Sequence, residues 1–144
     1  MKKIIATVGP SLLHNVPLTK VHNERNIYRI NGASILDEVE YILIDRGDLS
    51  TEVGLSKIPY YQNYLVNKAV FAGKKVFLAT QFLKSMEKNP IATFPEVIDL
   101  YNILKSGIYG IQMSEETAVG KYPQNCLDTI VNLMEEIHNE SLNT

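Results

Sequence analysis

An α/β fold on a parallel sheet of about five strands is the architecture this sequence predicts, and three observations predict it. Short apolar or β-branched runs recur along the chain, each followed by residues at helical spacing. The runs are apolar on both faces, as Ile42-Leu43-Ile44 and Val76-Phe77-Leu78-Ala79 illustrate, which a parallel sheet covered on both sides requires. The chain has 144 residues, 45% hydrophobic and 21% charged, enough for a single domain over 1–144 that buries roughly two thirds of its unfolded surface.

The expected strands are Lys3 to Val8, Ile27 to Ile30, Tyr41 to Ile44, Val76 to Ala79 and Ile108 to Met113. Pro59 near the start and Gly73 after the end bracket a helix whose Tyr61, Leu65, Val66, Ala69 and Val70 fall on one stripe. Thr93-Phe94-Pro95-Glu96 has capping-box spacing, and Gly107 closes that helix. Pro123 opens a last helix carrying Leu127, Ile130, Val131, Met134 and Ile137 toward the core, with Asp128, Asn132, Glu135 and Glu136 on a wet side. One connection is anomalous. Only ten residues separate Ile30 from Tyr41, fewer than the dozen or so that a parallel crossover needs.

A formal charge of -2 gives no electrostatic reason to expect nucleic acid, and no apolar run is long enough for a membrane span. The lone Cys126 excludes an internal disulfide and a cysteine zinc cage, and it fits a reducing cytoplasm. Met1-Lys2-Lys3-Ile4-Ile5 imitates the start of a signal peptide, but Gly9-Pro10 ends the apolar stretch too early, so no export signal is expected. His14, His22 and His138 lack ligand spacing, and Cys126 and Tyr60-Tyr61 with Tyr64 read as packing residues.

Sites in α/β folds gather after strand C-termini. Here those segments are Thr7-Val8-Gly9-Pro10-Ser11, Arg29-Ile30-Asn31-Gly32-Ala33-Ser34, Asp45-Arg46-Gly47-Asp48-Leu49, Ala79-Thr80-Gln81 and Met113-Ser114-Glu115-Glu116-Thr117. Lys3 to Ser11, Arg46 to Leu49, Leu78 to Met86 with Asn89-Pro90, and Ser114 to Ala118 with Gly120-Lys121-Tyr122-Pro123 together resemble pyruvate kinase, in that family's order and spacing. The resemblance covers nearly the whole chain.

The resemblance implies an eight-stranded β/α barrel with an inserted lid, of which this chain matches strands one, two, six, seven and eight. Strands three to five and the lid have no counterpart. Five strands cannot close such a barrel. The expectation is therefore a truncated TIM-barrel-like arc, or a rearranged three-layer α/β sandwich in which the third strand lies beside the first. An open arc leaves edges and an apolar face uncovered, so a homo-oligomer contacting through a sheet edge or the inner barrel face is expected.

Residue by residue, the resemblance makes Asp48 the magnesium-binding aspartate, a role that suits a carboxylate at a strand end. Gly47 and Asp48 would open a short helix whose amides hold the substrate carboxylate. Thr80 matches a threonine beside the bound 2-oxo acid, Arg29 an arginine on the transferred phosphate, and Asn31 a potassium ligand. Mg2+ and K+ are the implied cofactors, and phosphoenolpyruvate or another 2-oxo acid the implied small-molecule partner. Arg29 and Thr80 are the implied catalytic residues.

The departures weigh as much. The family's phosphoryl-stabilising lysine and second metal-binding glutamate lie in a Lys-Ile-Glu-Asn stretch that this sequence lacks. Ala33 stands where a serine usually serves potassium, Glu115 replaces a glycine, Gly54 replaces a proline, and Asp45 occupies the place of a small residue. Other readings of the same residues stay open: Asp48 as a helix cap, Arg29 as an ion-pair partner of Asp45 or Asp48, Thr80-Gln81 as a strand-end cap, and Asp45 with Asp48 as a cation pair. For the chain as a whole, three functions compete: a 2-oxo-acid enzyme of this family, an inactive binding or regulatory relative, and a split-barrel fragment completed by a second chain.

Overall fold

A computed structural model describes residues 5–8, 29–30, 33–34, 36 and 39–143, the first of these as backbone strands. They belong to two compact units, Met1–Leu78 and Ala79–Thr144.

In the first unit, β1 (Ile5–Val8), β4 (Tyr41–Asp45) and β5 (Lys75–Ala79, whose last residue passes into the second unit) lie in the order β1–β4–β5. β1 runs parallel to β4 in the register Ile5 opposite Tyr41 through Val8 opposite Ile44. The third predicted strand therefore lies beside the first, which is the rearranged alternative. Between them, β2 (Arg29–Ile30) pairs antiparallel with β3 (Ala33–Ser34). That corrects the expectation of a parallel strand over Ile27 to Ile30. The physical reason is the separation of only two residues, Asn31-Gly32, the pair that tight hairpins favour.

Helix α1 (Arg46–Val53) follows β4 directly, and α2 (Ile58–Phe71) leads back to β5. α2 ends as its punctuation predicts: Gly73 has φ +71°, its amide donates to the Val70 carbonyl, and the Lys74 amide donates to Ala69. This is a Schellman closure that the left-handed glycine makes possible. The core of the unit gathers Ile42, Ile44, Leu49, Val53, Leu65, Val66, Ala69, Val76 and Leu78, all buried. At the strand starts, the Lys75 amide donates to the Glu40 carbonyl at 2.9 Å and its Nζ donates to Glu40 Oε1 at 2.9 Å. The Glu40 hydrogen bond and then that of Tyr41 raise the Lys75 pKa.

The second unit contains α3 (Phe94–Lys105), β6 (Gly110–Gln112), the short α4 (Glu115–Ala118) and α5 (Pro123–Leu142). Two long helices lie alongside each other. Near their C-terminal ends, Tyr101 Oη and Lys105 Nζ of α3 both donate to Glu140 Oε2 of α5. Near the start of α5, Asn125 Nδ2 donates to the Pro90 carbonyl. Phe82, Leu83, Met86, Leu100, Ile103, Cys126 and Ile130 form the buried core. The last helix departs from its predicted face. Cys126 and Ile130 are buried, whereas Leu127, Val131 and Met134 are 45%, 51% and 54% exposed. The apolar residues of this helix fall on two adjacent stripes, of which one is covered. The inward one is Cys126, Ile130, Leu133 and Ile137, at strict helical spacing.

Candidate functional site

The Arg46-Gly47-Asp48-Leu49 motif begins α1 immediately after β4. The N-cap is Asp45, not Asp48. Asp45 Oδ1 accepts the Gly47 amide at 2.8 Å and the Asp48 amide at 3.1 Å, and Ser50 Oγ returns a hydrogen bond to the Gly47 carbonyl at 2.7 Å. The amides of Gly47 and Asp48, the donors expected for a substrate carboxylate, are engaged by a carboxylate of the same chain. The reason is local, since aspartate before a helix satisfies the orphan donors of its first turn. Arg46 and Leu49 are both buried, at 8% and 3% exposure. Those two anchors fix the orientation of the turn.

The Asp48 side chain is half-buried, and no described residue donates to its carboxylate. An uncommitted carboxylate at a strand end is the donor Mg2+ takes, because that ion keeps several waters and needs only one or two protein carboxylates plus ligand oxygens. Asp48 fits such a role. Among the described residues no group of three or more histidines, cysteines or acids could hold a metal alone, so Asp45 and Asp48 do not form a self-sufficient cation site.

Thr80 stands in the second unit, directly after β5. Its amide donates to the Gln112 carbonyl of β6 at 3.3 Å. Thr80, Gln81 and Leu83 have φ of +70°, +57° and +48°, and a β-branched residue in that region is a marked departure. Such a turn persists only where its surroundings over-determine it. Here Phe82, Leu83 and Met86 are buried to 1% exposure or less. Ser85 adds a polar brace, its amide donating to Glu96 Oε1 at 2.7 Å and its hydroxyl to Glu96 Oε2 at 2.5 Å.

The predicted capping box is present, with the Thr93 amide donating to Glu96 Oε2 at 2.9 Å. Burial works to raise the Glu96 pKa, but the hydrogen bonds from Ser85 and Thr93 outweigh it and hold the carboxyl below its ordinary range. Sequence reasoning found the box and missed the second partnership. Ser85 is eleven residues away, beyond any local pattern.

After β6, Glu116 is fully buried. Its Oε2 accepts the Ser114 amide at 3.0 Å, and its Oε1 has no hydrogen-bond partner among the described residues. Lys84 pairs with Glu87 and, at 3.6 Å, with Glu115, so the departure at Glu115 sits against a cation. Cys126 is buried beside the Glu116 carbonyl. Burial first, and then the charge of Glu116, push its thiol pKa up, as a packing cysteine requires. His138 is exposed on the last helix.

Gly47 and Asp48 thus stand together on one helix start in the first unit, and Thr80 stands on a strained turn in the second. Arg29 is placed as a strand residue, with its side chain outside the described residues, as are Asn31, His14 and His22. No described helix is long and apolar enough to cross a membrane.

The family model of the pyruvate kinase barrel domain matches residues 1–127. The pyruvate kinase of Geobacillus stearothermophilus is 35% identical over 118 residues, which is 82% of this chain and 20% of that protein. That of Leishmania mexicana is 38% identical over 116 residues, covering 81% and 23%. Among solved structures, the pyruvate kinase from Pyrobaculum aerophilum superposes with a TM-score of 0.69 at 30% identity, over 72% of this chain and 25% of that one. The Cryptosporidium parvum pyruvate kinase in complex with ADP gives 0.65 at 35% identity, over 69% and 20%. The chain spans about a fifth to a quarter of the length of these relatives.

Proposed function

The chain belongs to the pyruvate kinase family, and from that premise we propose that it retains the magnesium and 2-oxo-acid half of the family's site without the half that moves a phosphoryl group. The observation that carries this reading is the uncommitted carboxylate of Asp48 on the Arg46-Gly47-Asp48-Leu49 turn. It is supported by Thr80, held on a turn whose backbone strain marks a position fixed by its surroundings.

In this reading Asp48 holds Mg2+, which would neutralise the charge of a bound 2-oxo acid such as phosphoenolpyruvate or pyruvate. The Thr80 hydroxyl orients that ligand, and the start of α1 supplies the field of a helix N-terminus. Arg29, with its planar fork, is assigned to a ligand phosphate, and Asn31 to K+. A reducing cytoplasm suits the single thiol.

Transfer itself needs more. Phosphoryl transfer is positioning and charge neutralisation, and losing one such group typically costs about two or three powers of ten. The phosphoryl-stabilising lysine, the second metal-binding glutamate and the lid all lack counterparts in the sequence.

A second reading, self-assembly, is favoured by two exposed helix faces. Leu127, Val131 and Met134 are bordered by Asp128 and Glu135 on α5, which carries no Lys or Arg. On α2, Phe71 is 94% exposed and Tyr60 55%, near Lys68 and Lys74. Apolar faces with rims of opposite charge suit contact between copies of this chain.

A coupled assay with phosphoenolpyruvate, ADP, Mg2+ and K+ tests the catalytic half of the proposal. The expected result is no turnover above the uncatalysed background; a rate near about 10 per second, ordinary for enzymes, would refute it.

A further inference from the structure

We propose that association between copies pairs unlike faces, the acid-rimmed stripe of α5 on one copy against the lysine-rimmed aromatic stripe of α2 on another, and never like with like. The inference rests on the self-assembly reading above and adds which surface takes which partner.

The two helices carry opposite charge. α5 holds Asp128, Glu135, Glu136 and Glu140 and no Lys or Arg. α2 holds no Asp or Glu, with Lys68 inside it and Lys57 immediately before it. Each also turns an apolar stripe outward at helical spacing. On α5 the stripe is Leu127, Val131 and Met134, all exposed, with Asp128 and Glu135 three residues before and four after Val131, along one margin. On α2, Tyr60 and Phe71 are exposed with Tyr64 between them.

The α2 stripe is flat and bordered by a cation. The Tyr60 and Tyr64 rings stack at 6.3 Å with 12° between their planes, and Lys68 Nζ stands 5.8 Å from the Tyr64 ring centre. Aromatic faces of this kind accept aliphatic side chains over a large area, which the α5 stripe supplies.

Charge decides among the pairings. Packed helices lie roughly 8–10 Å apart, about one Debye length at physiological ionic strength, so the charges beside the seam act on each other. α5 against α5 would set acid beside acid, and α2 against α2 would set lysine beside lysine. Only α5 against α2 brings the acids to the lysines while covering both apolar stripes.

Light scattering at micromolar concentration tests this by complementation, with two variants of the full chain. Phe71→Glu puts a carboxylate where the acidic helix docks, and Val131→Arg puts a cation where the lysine-rimmed helix docks. Both positions are exposed, and circular dichroism checks folding; Tyr60→Glu and Met134→Arg repeat the test should either variant fail to fold. The wild type is expected above the mass of one chain, and each variant alone at the mass of one chain, its association weakened tenfold or more. An equimolar mixture is expected to restore a species of two chains, because each variant supplies the face the other has lost. Either variant associating by itself as the wild type does, or a mixture that stays at one chain, would overturn the pairing and leave self-assembly standing. A wild type at the mass of one chain would overturn both.

Discussion

Ser85 and Glu96 are joined twice, amide to Oε1 at 2.7 Å and hydroxyl to Oε2 at 2.5 Å. The same carboxylate caps the helix that starts at Phe94, so one side chain ties that helix to the segment following the Thr80 turn.

This makes Glu96 a source of acid-sensitive stability. Its folded pKa lies below the ordinary value, with burial opposing the shift and the hydrogen bonds from Ser85 and Thr93 producing it. A depressed carboxyl contributes fully above its unfolded pKa, about 4.3, and loses that contribution as pH falls through the folded pKa. Glu96→Gln should cost about 1–3 kcal/mol at pH 7, and the deficit should shrink below about pH 4. Urea unfolding at a series of pH values checks this; a deficit that stays constant with pH would contradict it.

Two glycines separate conformational from steric cost. A Cβ on Gly73 meets nothing within 4 Å, but its φ is +71°, so Gly73→Ala should cost only about 1–2 kcal/mol of left-handed strain. A Cβ on Gly120 would overlap the Glu116 carbonyl oxygen and come within 3.2 Å of the Glu87 Cα. Backbone cannot yield as a side-chain tip does. Gly120→Ala should therefore lower the melting temperature more than Gly73→Ala, and the reverse order in thermal melts would count against the packing described for α4.

Much of the fold was legible because it is encoded locally. Pro59 and Gly73 bound a helix, and Thr93 with Glu96 begin one, through interactions spanning three or four residues. The hairpin departs from expectation although Asn31-Gly32 signals it, because the apolar run over Ile27 to Ile30 reads equally well as one more strand of a parallel sheet. On α5, apolar residues at i and i+4 occur on two neighbouring stripes, and periodicity alone does not say which one is covered. Gly47 and Asp48 lie at a helix start and Thr80 directly after a strand, the positions their neighbours in sequence imply. The reading of Asp48 as the cap lies three residues too late. Asp45 fills that place, and only coordinates reveal that its oxygen reaches both amides. The burial of Glu116 and the bond between Ser85 and Glu96 depend on tertiary packing, which no local pattern encodes.

Self-assembly through the helix faces predicts a mass above one chain in light scattering at micromolar concentration. Reversing the acidic rim with Asp128→Lys and Glu135→Lys, both exposed, should weaken association and make the remaining species less salt-sensitive. A mass of one chain for the wild type, with no binding of a hydrophobic dye, would rule out this contact.

The most direct measurement of the central claim is calorimetric titration of oxalate into the wild-type chain with and without Mg2+, repeated with Asp48→Ala. The account predicts weak binding that requires Mg2+ and disappears in Asp48→Ala. Binding that is indifferent to Mg2+ or survives the loss of Asp48 would contradict it, as would no binding under any condition.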